Sequence, residues 1–175
     1  MTITLEQKKA VVAEVHEVAD RALSAIAAEY RGLSVAEMTE LRARAREGQV
    51  YLRVVKNTLA RRAVAGTDFE CMADGFVGPL ILAFSEEDPG AAARLMRDFA
   101  KDHEALVVKL VALGGQLLEP GDIGRLASMP TREQALSMLM AVMKAPLDKL
   151  ARTLNEVPGK LVRTVAAIRD QKEAA

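Results

Sequence analysis

Tryptophan is absent from this chain of 175 residues, cysteine occurs once, and phenylalanine and tyrosine number only four and two. A core must therefore be built from Leu, Val, Ala, Ile and Met, and a surface on which several bases stack against aromatic rings is not expected. The single Cys71 permits no intramolecular disulfide and no cysteine-built zinc or iron–sulfur site, and it points to a reducing, cytosolic setting. No run approaches 18 uncharged apolar residues, and the opening Met1-Thr2-Ile3-Thr4-Leu5-Glu6 lacks the basic-then-apolar pattern of an export signal. Neither membrane nor secretion is expected. An excess of one charge is missing too: 24 basic residues balance 24 acidic ones. With 50% hydrophobic and 27% charged residues, the composition is that of a soluble globular protein of one domain, or of one domain with an appendage.

The zero net charge hides a strong segregation. Residues 1–66 carry +3, residues 67–104 carry −6, residues 105–130 are neutral and residues 131–175 carry +3. Between Arg42 and Arg62 stand seven basic residues, Arg42, Arg44, Arg46, Arg53, Lys56, Arg61 and Arg62, against the single acid Glu47.

Helical and extended patterns alternate through the first two thirds. Thr4 and Gln7 form a capping box that opens a helix with an apolar face through Val11, Val15 and Val18. Ser24 to Glu29 reads as a buried strand, and Ser34 with Glu37 opens a second helix that closes near Gly48. Val50 to Val55 is β-branched and strand-like, and a third helix runs from about Thr58 to Ala65. Phe76 to Ser85 reads as a strand interrupted by Gly78-Pro79, and Asp88-Pro89 signals a helix reaching His103. Leu106 to Leu113 is another strand, turned by Gly114-Gly115. The expected fold class is α/β: a mixed sheet flanked by helices over residues 1–115, a linker with a short helix over 116–130, and a long kinked C-terminal helix over 131–175.

From Thr131 to Lys172 only helical periodicity remains, with an apolar stripe of Leu136, Leu139, Met140, Met143, Leu147, Leu150, Leu154, Val157, Leu161, Val165 and Ile168. Such a helix would extend about 63 Å, longer than a small domain is wide, so it must protrude or carry a partner. Within it Lys149-Leu150-Ala151-Arg152-Thr153-Leu154 recurs as Lys160-Leu161-Val162-Arg163-Thr164-Val165. The offset of eleven residues turns a helix by about 1100°, so both copies face nearly the same way, about 16 Å apart. Leu139 to Lys144 offers a third apolar patch, and Pro146 and Pro158, each expected to kink the axis, divide the three segments. Four of the eight methionines, Met129, Met138, Met140 and Met143, lie in this region, suited to core filling or to an adaptable binding face.

Catalysis finds little support. His16 and His103 have no neighbouring nucleophile or carboxylate pattern, Cys71 reads as a small buried hydrophobe, and no phosphate-cradling glycine loop is present. No cofactor and no metal are expected. Arginines on a strand and on the helix start that follows it favour phosphate oxygens, and without interleaved aromatics they favour folded RNA recognised by shape and backbone over unpaired bases.

Several strings occur together in order: Arg31-Gly32-Leu33-Ser34-Val35, Arg53-Val54-Val55-Lys56-Asn57-Thr58-Leu59, Phe76-Val77-Gly78-Pro79, Pro89-Gly90-Ala91-Ala92-Ala93-Arg94-Leu95 and Lys160-Leu161-Val162-Arg163-Thr164. With them the chain resembles, along nearly its whole length, the family of bacterial large-subunit ribosomal protein ten, the stalk-base protein. The resemblance implies a non-enzymatic, cytoplasmic ribosomal adaptor. Its N-terminal domain would hold large-subunit rRNA of the GTPase-associated region beside ribosomal protein eleven, and its C-terminal helix would carry dimers of the acidic stalk protein seven/twelve, which attract translational GTPases. Family members with their dimers bound can also repress their own messenger. The expected RNA contacts are Arg31, Arg53, Lys56, Asn57, Arg61 and Arg62, and the stripe from Leu136 to Ile168 is the expected dimer-docking surface. Beside shorter relatives, Pro146 to Val157 looks like an additional module, and the eleven-residue repeat with its proline joints gives the expectation of three dimers, one per segment.

Overall fold

The computed structural model describes residues 4–173, without the side chain of Val157, and divides into two compact units, residues 1–131 and 132–175.

The first unit begins with α1 (Leu5–Arg21), where Thr4 Oγ1 accepts from the Gln7 amide at 3.4 Å and Gln7 Oε1 accepts from the Thr4 amide at 3.0 Å. The expected capping box is thus formed, and it satisfies two of the amide donors that a helix start leaves open. After β1 (Ser24–Glu29), Ser34 and Glu37 cap α2 (Val35–Glu47) in the same way. Next come β2 (Val50–Val54), α3 (Asn57–Val64), a 3-10 segment over Asp68–Gly75, β3 (Leu80–Ser85), α4 (Ala91–Asp102), β4 (Val107–Leu113), β5 (Gln116–Leu118) and α5 (Ile123–Ala127).

The five strands form one sheet in the order β2-β3-β1-β4-β5. The expected α/β class holds, but all pairings are antiparallel, where a mixed sheet was expected. Crossover helices do link parallel strands, as sequence alternation suggested: β1 and β2 run the same way, as do β3 and β4. Each such pair is split by a strand of the other, because β3 inserts between β1 and β2, and β1 between β3 and β4.

Helices cover both faces. Ala25, Ala27, Leu80, Leu82 and Phe84 face α1, α3 and the 3-10 segment, whereas Ile26, Ala28, Ile81 and Ala83 face α2, α4 and α5. Burial on both sides explains why β1 and β3 read as unbroken apolar runs.

Four further differences from the sequence expectation are local. Residues 76–79 are not strand, since Gly78 sits at φ +90° and Pro79 can donate no ladder hydrogen bond. Helix α4 starts at Ala91, because Asp88 uses Oδ1 to accept from the Gly90 amide at 3.0 Å and its carboxylate to pair with Arg94. Residues 116–130, expected as a linker with a short helix, do contain that helix, α5, but they also contain β5, paired with β4, and Leu126 and Ala127 of α5 are buried in the core. Cys71 is exposed, on the outer side of the 3-10 segment, rather than buried.

The second unit is a single helix, α6 (Arg132–Glu173), continuous over Pro146 and Pro158 and bent at 157. Pro158 has no amide hydrogen to donate and its ring crowds the preceding turn, which accounts for a bend at that point.

Candidate nucleic-acid interface and docking helix

The seven basic residues between Arg42 and Arg62 separate by what their side chains touch. Arg44 on α2 donates to Asp102 on α4 at 3.2 Å, pairs with Glu40, and lies 5.6 Å over the Phe99 ring. Arg53 on β2 pairs with Glu14 of α1 and donates to the Tyr51 hydroxyl at 2.9 Å, while that hydroxyl donates to Glu14 at 2.8 Å. The Arg53 bond, with help from Tyr51, holds the Glu14 carboxyl below its usual range, and burial pushes the Tyr51 phenol up. Arg61 donates from Nε to the Ala73 carbonyl and from Nη2 to the Phe76 carbonyl, both at 3.0 Å, tying α3 to the end of the 3-10 segment.

Arg42, Arg46, Lys56 and Arg62 are exposed, and among the described residues their side chains make no hydrogen bond or ion pair. The charge run therefore resolves into three cations engaged within the fold and four held outward.

Of the six expected RNA contacts, Arg61 is taken up by the carbonyls just named, and the other five fall in three places. Arg31 follows β1, Lys56 and Asn57 follow β2, and Gly78-Pro79 leads into β3. Because Glu29 pairs with Leu80, and Val54 with Ile81, these three strand ends lie side by side. Asn57 Nδ2 donates to the Gly78 carbonyl at 2.9 Å and fixes the turn. A shallow groove of about 490 Å³ runs here, lined by Tyr30, Lys56, Asn57, Thr58, Gly78 and Pro79.

Arg53 lies elsewhere, in a groove of about 460 Å³ along β2 that it shares with Arg42, Arg46, Tyr51 and Glu14. Arg62 stands with Lys8 and Lys9 at the rim of an apolar groove between α1 and α3, floored by Val12, Ala13 and Leu59. Arg42 and Arg46 belong to the basic run but stand outside the six expected contacts. Their spacing of four on α2, next to a strand, was the available signal.

On α6 the stripe residues Leu136, Leu139, Met140, Met143, Leu147, Leu150, Leu154, Leu161, Val165 and Ile168 leave 50% to 70% of their surface exposed. Val157 belongs to the expected stripe, but its side chain lies outside the described residues. At helical spacing the whole set falls within an arc of about 100°, the width of an ordinary core-facing stripe. Thr153 and Thr164 donate to the carbonyls of Leu150 and Leu161, each at 2.8 Å, so the two copies of the repeat share their local bonding.

The two histidines make contacts within the sheet domain. His16 Nδ1 lies 2.8 Å from the Ala63 carbonyl, joining α1 to α3, and His103 packs 4.3 Å from the Phe99 ring beside Glu37. Among the described residues no cluster of three His, Cys, Asp or Glu is arranged to hold a metal, and no helix is long and apolar enough to cross a membrane.

Residues 3–101 match the family model of ribosomal protein L10, and residues 129–157 match that of the ribosomal protein uL10 C-terminal region. The chain is 74% identical over 175 residues to the large ribosomal subunit protein uL10 of Thioalkalivibrio sulfidiphilus, covering 100% of this chain and 99% of the relative. It belongs to the L10 family of ribosomal proteins. The corresponding protein of Halorhodospira halophila is 69% identical over the full length of both chains, and that of Methylococcus capsulatus 66%, again over both full lengths. L10 is a structural protein of the large ribosomal subunit and not an enzyme, and in bacteria the ribosome is cytoplasmic. The match to the L10 C-terminal region ends at 157, where α6 bends, so the second copy of the repeat, Lys160 to Val165, lies beyond it.

Proposed function

We propose that this L10-family chain forms the base of the large-subunit stalk. Its sheet domain holds large-subunit rRNA in the GTPase-associated region beside ribosomal protein eleven. Its α6 helix carries three dimers of the acidic stalk protein seven/twelve, through which translational GTPases are recruited. The observation that carries this reading is the unburied apolar stripe on a 42-residue helix. A helix that buries such a face gains about 1.5–3 kcal/mol per large side chain, so a partner that covers it is bound tightly. The division by Pro146 and Pro158, together with the repeated Lys-Leu-x-Arg-Thr string, supports one dimer per segment.

The outward cations Arg31, Lys56 and Arg62, with Arg53, support RNA as the partner of the sheet domain, since they offer phosphate-binding groups without a stacking platform. Native mass spectrometry of the complex co-expressed with stalk protein tests the assembly: a mass with three dimers is expected, and a mass with two overturns the count.

A further inference from the structure

The sheet ends on one side at β2, and among the described residues no strand pairs with its outer edge. Alternate N–H groups of Val50–Val54 thus point into the groove that runs along that edge. Arg42 and Arg46, one helical turn apart on α2, line the groove and are committed to nothing among the described residues. Arg53 reaches the same groove from the strand, where Tyr51 and Glu14 hold it in place. Three guanidinium groups, two of them uncommitted, and the outward amides of a short edge strand meet at one concave surface, and the only carboxylate lining it is Glu14.

We propose that this groove is a phosphate-binding cleft for the rRNA backbone, with Arg42 and Arg46 as its principal contacts and Glu14 as an internal counter-charge. The inference rests on the RNA-binding reading above and relocates part of the interface from α3 to α2 and the edge of β2. Guanidinium forks fit phosphate oxygens bidentately, and strand-edge amides donate to the same oxygens. An extended acidic peptide adding a strand to β2 is the competing occupant. It would satisfy the strand's carbonyls as well as its amides, but it would need only carboxylates at alternate positions, and three convergent arginines favour the denser charge of a nucleic-acid backbone.

Glu14 gives the proposal a test of opposite signs. Its carboxylate opposes an incoming phosphate, so Glu14→Gln, which keeps the size and an acceptor for Arg53 and Tyr51, is expected to tighten binding. Arg42→Ala with Arg46→Ala, both at exposed positions that leave the core intact, is expected to weaken binding by at least about tenfold. It should also reduce the slope of log affinity against log salt by about 1.4 to 1.8, the counterions released by two phosphate contacts.

The experiment is a salt titration of the full chain and both variants against a transcribed fragment of the GTPase-associated rRNA. Far-UV circular dichroism confirms the fold, and a polyglutamate peptide is titrated in parallel. Weaker binding with a shallower slope in the arginine variant, and tighter binding in Glu14→Gln, sustains the cleft. If the wild-type chain binds the fragment and the arginine variant matches it in affinity and slope, the cleft is overturned while RNA binding stands, seated on Arg31, Lys56 and Arg62. If polyglutamate binding alone is lost in the arginine variant, the groove is a peptide site and the proposal fails. If the wild-type chain does not bind the fragment, it is the RNA-binding reading that fails.

Discussion

The sheet domain and α6 draw on the same aliphatic alphabet, yet one buries its apolar residues and the other leaves them in water. In the sheet domain Phe69, Phe76, Phe84 and Phe99 are among the largest fully buried side chains, and the two core clusters close against the strands from both faces. In α6 the large apolar side chains of the stripe remain at least half exposed. A helical stripe records that a face wants to be covered, and it does not record whether the cover comes from its own chain. In the sheet domain the helices on both faces supply that cover from within the chain; on α6 the partner proposed above would supply it.

The largest effect that separates the two regions is expected from Phe84→Ala. The ring lies 6.1 Å from that of Phe69 and 6.4 Å from that of Tyr51. Removing it should cost the sheet domain about 3–5 kcal/mol, read as a lower melting temperature, with the number of bound dimers unchanged. Fewer dimers in a variant that is still folded would show that the two regions are coupled.

Leu154→Asp is the converse. It should cost about one dimer, about 1.5–3 kcal/mol or more of docking energy, with no change in the melting of the sheet domain or in RNA binding. Native mass spectrometry counts the dimers, and an undiminished count would remove Leu154 from the interface.

The smallest effect is electrostatic and belongs to the sheet domain alone. Glu37 is held below its usual 4.5 chiefly by the Ser34 amide, and Glu14 chiefly by Arg53. Carboxyls with depressed folded values contribute stability that is complete above about pH 4.5 and is lost as the pH falls through the folded value. Glu14 is about half exposed and Glu37 about a third exposed, both at the surface, so solvent screening keeps the contribution small. A melting series from about pH 6 to about pH 3 should show a slope that Glu37→Gln flattens, and an identical slope in that variant would rule out the cap as its source.

Much of the local structure was legible in advance. The Thr4–Gln7 and Ser34–Glu37 capping boxes, the buried runs of β1 and β3, and the extent of α6 all follow from interactions within a few residues, which sequence spacing records directly. The antiparallel pairing was not legible, because the insertion of β3 between β1 and β2 depends on contacts between residues far apart in the chain. Strand β5 was missed for a related reason: three residues after a glycine turn carry too little pattern to stand apart from a loop.

The candidate site divides the same way. Sequence alone determined that cations concentrate between Arg42 and Arg62, and that an apolar stripe with an eleven-residue repeat runs along the C-terminal helix, because charge count and helical spacing are properties of the chain itself. Only the tertiary structure decided which cations face outward. Arg44 is taken by Asp102, 58 residues away, Arg53 by Glu14, and Arg61 by carbonyls 12 and 15 residues on, whereas Arg42, Arg46, Lys56 and Arg62 are left to solvent. A charge is available to a ligand when no partner lies within reach in space, and reach in space is set by the fold.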